Sequence, residues 1–167
     1  VLYVTKDGGA TWTSYTAPST INSFDVHPTD PEKLWITCNS TSSRVLVSTN
    51  AGATFTNISG NLPAIAARSV KVDDTANEGI YAALNIGVYY TNKNMTGWIN
   101  LTDNLPQVAI NEIEIHKAAG KIRIGTYGRG AWERALYTAC SAPVSLTSTN
   151  IKTSEATVNW AADAAAT

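Results

Sequence analysis

The chain has 167 residues, enough for one medium-sized domain and part of a second. Its 12 lysine and arginine residues nearly balance 13 aspartate and glutamate residues, so the net charge of −1 offers no electrostatic footprint for nucleic acid. No apolar run approaches the length of a membrane span. Charged residues make up only 15%, while Thr, Ser and Asn are abundant, which is typical of short strands joined by polar turns. We therefore expect an all-β chain that neither binds nucleic acid nor inserts into a membrane.

Residues 1–4 are the first predicted strand, and a polar turn follows them directly. The chain opens on this strand without a Met, so we expect it to be cut from a longer polypeptide. On that interpretation, the absence of a signal peptide says nothing about secretion.

A polar turn followed by a large aromatic residue occupies residues 5–12, which read Thr-Lys-Asp-Gly-Gly-Ala-Thr-Trp. Asp7 is placed to accept hydrogen bonds from backbone N–H groups two residues further on, as in Asx turns. Gly9 suits a left-handed backbone position, and Trp12 is expected to pack between neighbouring sheets. The alternative is a calcium loop with Asp7 as a ligand, but one carboxylate is too few for an ion that takes six or more oxygens. We predict a structural turn that holds no metal.

The turn recurs at residues 48–55 and, in a more divergent form, at residues 91–98. The aromatic anchors Trp12, Phe55 and Trp98 are 43 residues apart. A fixed period of this length indicates β-propeller blades, each a small antiparallel sheet that cannot bury its faces alone. The structural residues predicted in the three copies are Thr5, Asp7, Gly9, Trp12, Ser48, Asn50, Gly52, Phe55 and Trp98.

Each repeat contains three predicted strands before the turn, and no long helix is expected. The first strands lie at residues 23–26, 69–72 and 112–115, the second at 33–37, 80–84 and 121–126, and the third begin at Val45, Val88 and Ala131. Residues 1–4 and 11–15 are expected to form a pair of strands without the first two strands of a repeat. At the other end, Ser141 occupies the position equivalent to Trp98, so we expect the last repeat to lack its outer strand. Two full and two partial blades are fewer than the four to eight of a closed ring. We expect the missing blades upstream or in other chains.

The third strands are apolar on both sides, as expected where sheets stack face to face. Tyr3, Leu46, Tyr89 and Trp132 occupy equivalent positions at steps of 43 residues. Tyr89 and Trp132 are alternatively platforms on which a sugar stacks, but their equivalence to Leu46 favours packing between blades.

The turn pattern Ser/Thr-x-Asp-x-Gly-x-Ser/Thr-aromatic resembles the Asp-box (BNR) repeat of sialidase-like, sortilin-like and xyloglucanase-like β-propellers. Residues 126–133 and 57–63 resemble the last-blade signature of secreted Bacteroidota-type propeller proteins. The resemblance implies about three four-stranded blades at the C-terminal end of a propeller. It also implies a secreted or cell-surface bacterial protein with several domains, exported by a type IX-like system whose machinery it contacts.

The sequence pattern changes after Tyr137, where the repeats end. Residues 140–160 resemble the first two strands of a fibronectin type III domain, with Trp160 as the core residue. Such a sandwich needs about seven strands. We therefore expect propeller blades at residues 1–137, a linker at 138–143 and a truncated fibronectin-like start at 144–167, with residues 161–167 frayed.

Two cysteines do not make a disulfide framework. Cys38 lies in an apolar strand and is interpreted as a buried thiol, while Cys140 is free to pair with a partner outside the segment. Neither has a His and an acid placed to make it a nucleophile. The disulfide state of both cysteines stays open at the level of sequence.

Few residues are placed to carry chemistry. His27, Asp73 and His116 each follow the first strand of a repeat and are expected on one rim of the propeller. We favour a role in shaping the turns. The alternative is a metal site or an acid–base site. Tyr127, Arg129 and Arg123 are the candidate ligand-binding residues, since the arginines suit bidentate binding of a carboxylate. Glycosidase chemistry needs two carboxylates across a cleft. Asp25, Glu112, Glu114 and Glu133 are unassigned candidates, and we expect Asp25 and Glu114 to face solvent.

We expect a non-catalytic scaffold and interaction module that binds a glycan or a protein and uses no cofactor or metal. One alternative is part of a glycoside hydrolase whose catalytic acids lie in blades outside this segment. A second is a sortilin-like peptide receptor, which fits less well because a cysteine-rich region follows the propeller in such receptors.

Overall fold

The computed structural model of the chain describes residues 1–75, 77–138 and 147–159. The chain divides into two compact units, Val1–Leu136 and Tyr137–Thr167. Strands account for 43% of the structure, and the described residues contain no α-helix, only the 3₁₀ turn Lys117–Ala119. The predicted all-β class is therefore confirmed. None of the described residues belongs to a helix long and apolar enough to cross a membrane.

Four antiparallel sheets, numbered in chain order, make up the first unit. Sheet 1 pairs β1 (Leu2–Val4) with β2 (Thr13–Tyr15). Sheet 2 has the order β3 (Ile21–Val26), β4 (Leu34–Cys38), β5 (Val45–Ser48) and β6 (Thr56–Asn57). Sheet 3 has the order β7 (Ala67–Val72), β8 (Ile80–Leu84), β9 (Gly87–Thr91) and β10 (Ile99–Asn100). Sheet 4 has the order β11 (Ile110–His116), β12 (Lys121–Thr126) and β13 (Ala131–Ala135).

The strand pattern follows the repeat in the sequence: an orphan pair, two four-stranded sheets and a three-stranded sheet. An outer strand of sheet 4 would fall at residues 142–143, which lie outside the described residues. No sheet closes on itself among the strands that the structure describes.

The pairing register also repeats from sheet to sheet. The directly paired central residues are Phe24, Ile36 and Leu46 in sheet 2, Val70, Ala82 and Tyr89 in sheet 3, and Ile113, Ile124 and Trp132 in sheet 4. In sheets 2, 3 and 4 the first strand has a register shift near its start, at residues 21–23, 67–69 and 110–112. A shift of this kind bends a strand locally. The repeat therefore preserves which residues pair across the strands, as well as the types of residue.

Two apolar clusters hold successive sheets together. Between sheets 1 and 2, Leu2 and Phe55 pack against Leu34, Ile36, Cys38 and Leu46. Between sheets 2 and 3, the cluster comprises Trp35, Val45, Leu62, Ala67, Val70, Val72, Ile80, Ala82, Leu84, Tyr89 and Trp98. Because apolar residues cover both faces of sheets 2 and 3, the central strands β4 and β8 are buried at every residue.

The expectation that Trp12 is buried is wrong for this structure. Trp12 is 60% exposed, whereas its equivalent Trp98 is 5% exposed. Trp98 lies against sheet 2, which precedes its own sheet. The described residues place no sheet before sheet 1, so Trp12 has no such surface to cover it.

The second unit contains one described hairpin. It pairs β14 (Thr147–Thr149) with β15 (Thr157–Asn159), and all the residues of both strands are exposed. The Asn159 side-chain amide donates to Thr149 Oγ1 at 3.2 Å, and Lys152 forms an ion pair with Glu155. Cys140, Trp160, most of the expected linker and residues 161–167 lie outside the described residues.

Candidate functional site

The first turn closes through side-chain hydrogen bonds between its two ends. The Thr11 backbone N–H donates to Asp7 Oδ1 at 2.9 Å, and Thr11 Oγ1 donates to Asp7 Oδ2 at 2.6 Å. The Gly9 N–H donates to Thr5 Oγ1 at 2.8 Å. The Thr5 hydroxyl in turn donates to Asp7 Oδ1 at 2.8 Å. Asp7 therefore binds the N–H four residues further on, not two as the sequence suggested. Gly9 has a φ of +97°, in the range that favours glycine, as expected.

These hydrogen bonds also stabilise the ionised form of the Asp7 side chain. The Thr11 hydroxyl, the Thr11 N–H and the Thr5 hydroxyl together lower the pKa of Asp7 to about 2. All three donors are neutral and come from within the turn. The turn itself therefore supplies hydrogen-bond donors to both oxygens of this carboxylate.

The second turn reproduces this arrangement with an amide. The Thr54 N–H donates to Asn50 Oδ1 at 2.9 Å, and Asn50 Nδ2 donates to Thr54 Oγ1 at 2.9 Å. The Gly52 N–H donates to Ser48 Oγ at 2.8 Å. Because a neutral Asn takes the place of Asp7, the turn needs acceptor geometry and not negative charge. The described residues contain no group of three or more His, Cys, Asp or Glu side chains that could hold a metal ion.

The third copy keeps the aromatic anchor but changes the turn. Trp98 Nε1 donates to the Ile58 carbonyl at 2.7 Å, across the gap between sheets 3 and 2. Asn61 fixes the same residue from the preceding repeat: its Oδ1 accepts from the Trp98 N–H at 2.7 Å, and its Nδ2 donates to the Trp98 carbonyl at 2.9 Å. Sequence reasoning missed this role of Asn61, although the recurrence of Asn-Leu-Pro at residues 61–63 and 104–106 marks the position.

The predicted binding residues are not equally available. Tyr127 and Arg129 are exposed at the turn between β12 and β13. Arg123 instead forms an ion pair with Glu133 on the adjacent strand, with 3.0 Å between Nε and Oε2, and Lys121 contacts the same carboxylate. These two cations lower the pKa of Glu133, Lys121 having the larger effect. The Arg123 guanidinium is therefore already engaged by a carboxylate of its own sheet.

The rim residues shape turns in the structure. His27 Nδ1 accepts from the Asp30 N–H at 3.1 Å. Asp73 is buried, and its Oδ1 accepts from the Gly79 N–H at 2.9 Å and the Thr75 N–H at 3.1 Å. His116 ends β11. The contacts of His27 and Asp73 support the turn-shaping interpretation.

Three charged residues form a chain across the first strands of sheets 2, 3 and 4. Lys71 Nζ lies 3.1 Å from a Glu114 carboxylate oxygen and 3.8 Å from Asp25 Oδ1. Asp25 Oδ2 accepts from the Val72 N–H at 2.8 Å, and burial raises the pKa of Asp25. The expectation that Asp25 and Glu114 face solvent is wrong for Asp25, whose side chain is 23% exposed because β7 partly covers it, whereas the Glu114 side chain is 59% exposed, as expected. A small cavity of about 180 Å³ adjoins this chain of charges.

Cys38 is a buried free thiol, as expected from its strand. Burial raises the pKa of this thiol, which disfavours the nucleophilic thiolate. Its neighbours in the cluster between sheets 1 and 2 are apolar. Cys38 therefore has a packing role.

A larger cleft of about 450 Å³ lies between sheets 2 and 3 and was not predicted from the sequence. Trp35, Trp98 and Met95 contribute apolar lining. Lys33 and Glu78 form an ion pair that joins the two sheets, and Lys33 Nζ lies 5.3 Å from the centre of the Trp35 ring. Lys33 and Glu78 are not equivalent positions of the repeat, so the period gives no signal for their pairing. The cleft combines aromatic surface with polar groups, a composition typical of sites that bind small ligands.

No protein-family model matches the chain, and a search of curated proteins finds no relative.

Proposed function

We propose that the chain is a non-catalytic scaffold and interaction module, formed by blades of an Asp-box β-propeller in a secreted or cell-surface protein. The second unit is on this proposal the start of a fibronectin type III-like domain. The observation that carries the proposal is the repeated stacking of four-stranded sheets with one register. A module of this kind presents surfaces on its rims and between its sheets.

The hydrogen-bonded turns support the Asp-box part of the proposal. Asp7 and Asn50 lie at equivalent positions and each accept the N–H four residues further on, at 2.9 Å in both turns. An acid that a neutral amide replaces with the same geometry has a structural role. The bacterial source and the export route rest on the sequence resemblance alone.

The contacts of the candidate acids favour a scaffold over a hydrolase. Lys71 bridges Asp25 and Glu114, while Glu133 is paired with Arg123 and Lys121. A glycosidase needs one carboxylate as a proton donor and a second that attacks or activates water. Carboxylates whose charges are engaged by lysine and arginine side chains in this way are not arranged as such a pair.

Hydrolysis assays on the polypeptide from its native source, with a panel of glycans that includes sialosides and xyloglucan, test the proposal. We expect no turnover that depends on this chain. Turnover that Glu114→Gln or Asp25→Asn abolishes, with the fold intact by circular dichroism, would show that this segment is catalytic and would overturn the proposal. Thr157→Ala, in the second unit, is the control substitution.

A further inference from the structure

The turn of the third repeat differs from the first two turns at the positions that close them. In the first two turns, an Asp or Asn side chain bonds to a Thr four residues further on. The equivalent positions of the third turn hold Lys93 and Gly97, and Met95 replaces the glycine of the first two turns. The Thr91 hydroxyl closes this turn instead, by donating to the Gly97 carbonyl at 3.0 Å. The side chains of Lys93 and Met95 therefore do not take over the role of the residues that they replace.

These two side chains line the cleft of about 450 Å³ between sheets 2 and 3. Its volume lies towards the lower end of the range of ~300–1,000 Å³ for clefts that bind small molecules. The remaining lining includes the Trp98 anchor, residues of β4, β5 and β8, and Asn57, Ile58 and Gly60 at the end of sheet 2. The departure from the repeat thus falls on the wall of a cleft of ligand size.

Two tryptophans of the lining are rigidly held. Trp35 and Trp98 are only 1% and 5% exposed. Trp98 Nε1 donates to the Ile58 carbonyl at 2.7 Å, and Asn61 bonds to the Trp98 backbone N–H and carbonyl. This wall is formed before a ligand arrives, so binding does not have to order it. Because so little of either ring is exposed, the cleft is not a platform on which a sugar ring stacks.

Three apolar side chains of the lining leave surface that a ligand can cover. Val47, Ile58 and Met95 are all half-buried. The flexible thioether side chain of Met95 adapts to ligands of different shape. Contact with an apolar ligand would remove this surface from water, which favours binding.

The charged groups of the lining leave one positive charge unpaired. These groups are Lys33, Glu78 and Lys93. Lys33 and Glu78 form an ion pair, and the hydrogen bond from Lys33 is the main cause of the lowered pKa of Glu78. Lys93 is exposed, and it forms no ion pair within the part of the chain that the structure describes. The cleft therefore combines apolar surface with one available ammonium group.

We propose that this cleft binds a small apolar carboxylate, whose hydrocarbon part packs on Val47, Ile58 and Met95 and whose carboxylate pairs with Lys93. The hydrocarbon part supplies most of the affinity, since an ion pair between exposed groups contributes little. The charge of Lys93 supplies selectivity for an anion over a neutral or cationic ligand of the same shape. The proposal goes beyond the scaffold role. It rests on the cleft alone and does not depend on whether the sheets belong to a propeller.

Titration of the isotope-labelled chain with octanoate, followed by NMR, tests the proposal. The indole N–H of Trp98 reports on the cleft, and that of the exposed Trp12 in the first turn is the internal reference. Octanamide and octylamine are the neutral and cationic probes of the same chain length. We expect octanoate to shift the Trp98 signal saturably and the Trp12 signal not at all. Octanamide should bind about two- to fivefold more weakly than octanoate, and octylamine more weakly still.

Lys93→Gln should weaken the binding of octanoate by about two- to fivefold and leave the binding of octanamide unchanged. Unchanged amide signals of β8 will show that the variant keeps its fold. The matched control is Lys152→Gln, on the hairpin of the second unit, and it should change the binding of neither probe.

Three results would each overturn the proposal: no saturable shift of the Trp98 signal, equal affinities for octanoate and octanamide, or an undiminished affinity of the Lys93→Gln variant for octanoate. None of them bears on the scaffold role, which the hydrolysis assays test separately.

Discussion

Hydrogen-bond geometry, and not charge, defines the turns that give the chain its period. Asp7 and Asn50 accept equivalent N–H donors at the same distance, although one is an anion and the other is neutral. The anionic copy differs in one respect, because the Thr11 and Thr5 donors lower the pKa of Asp7 to about 2. The two turns should therefore respond differently to acid.

Asp7→Asn should remove an acid-dependent part of the stability. A carboxyl whose pKa is lower in the fold than in the unfolded chain stabilises the fold above its ordinary pKa, and this contribution is lost as the pH falls through its folded pKa. The difference in Tm between the original chain and Asp7→Asn should thus be largest above about pH 4 and shrink towards pH 2. Other acids titrate in both proteins and cancel in the difference.

Thermal unfolding followed by circular dichroism between pH 5 and 2 measures this effect. The matched control is Asn50→Asp, which should introduce the same dependence into the second turn. A Tm difference that stays constant over this range would contradict the account of the Asp7 turn.

Single residues show both the reach and the limit of the sequence reasoning. The left-handed position of Gly9 could be predicted because a short polar turn between strands requires it. The partial burial of Asp25 could not be predicted, because it depends on β7, whose Val72 N–H lies 47 residues further on and in another sheet. A period locates equivalent residues but does not say what the neighbouring sheet places beside them.

At the scale of elements, the aromatic anchor shows how position in the stack changes the contribution of equivalent residues. Trp98 joins sheets 2 and 3 through its buried ring and its hydrogen bonds to Ile58 and Asn61. Trp12 has the same place in its repeat but remains exposed, with its Nε1 donating to the Gly9 carbonyl within its own turn at 3.1 Å. The strands could be predicted from the period, whereas the covering of each face could not.

Trp98→Ala should lower the free energy of unfolding by about 3–5 kcal/mol, the range for a buried Trp that leaves a cavity. Trp12→Ala is the matched control and should change it by no more than about 0.5 kcal/mol, as for exposed substitutions. Denaturant unfolding of both variants measures the difference. An equal decrease in the free energy of unfolding for the two variants would show that Trp98 does not pack between sheets 2 and 3.

At the scale of the whole molecule, the largest feature is the first unit, in which four sheets are stacked in chain order. Its charged side chains pair mainly with one another across neighbouring strands or sheets, as Lys33 does with Glu78 and Arg123 with Glu133. Such pairing leaves the cleft between sheets 2 and 3 as the surface best suited to binding. The internal repeat could predict the number of sheets, but the pairing of Arg123 with Glu133 on sheet 4 could be seen only from the register of β12 and β13.

Hydrogen exchange on the polypeptide isolated from its native source tests this account most directly. If the sheets are blades of a longer propeller scaffold, in which a further strand pairs with β1, the amides of Leu2–Val4 will exchange as slowly as those of Val45–Ser48, the equivalent strand of sheet 2. Amides of Leu2–Val4 that exchange as fast as those of an exposed strand edge, while Val45–Ser48 stay protected, would contradict it.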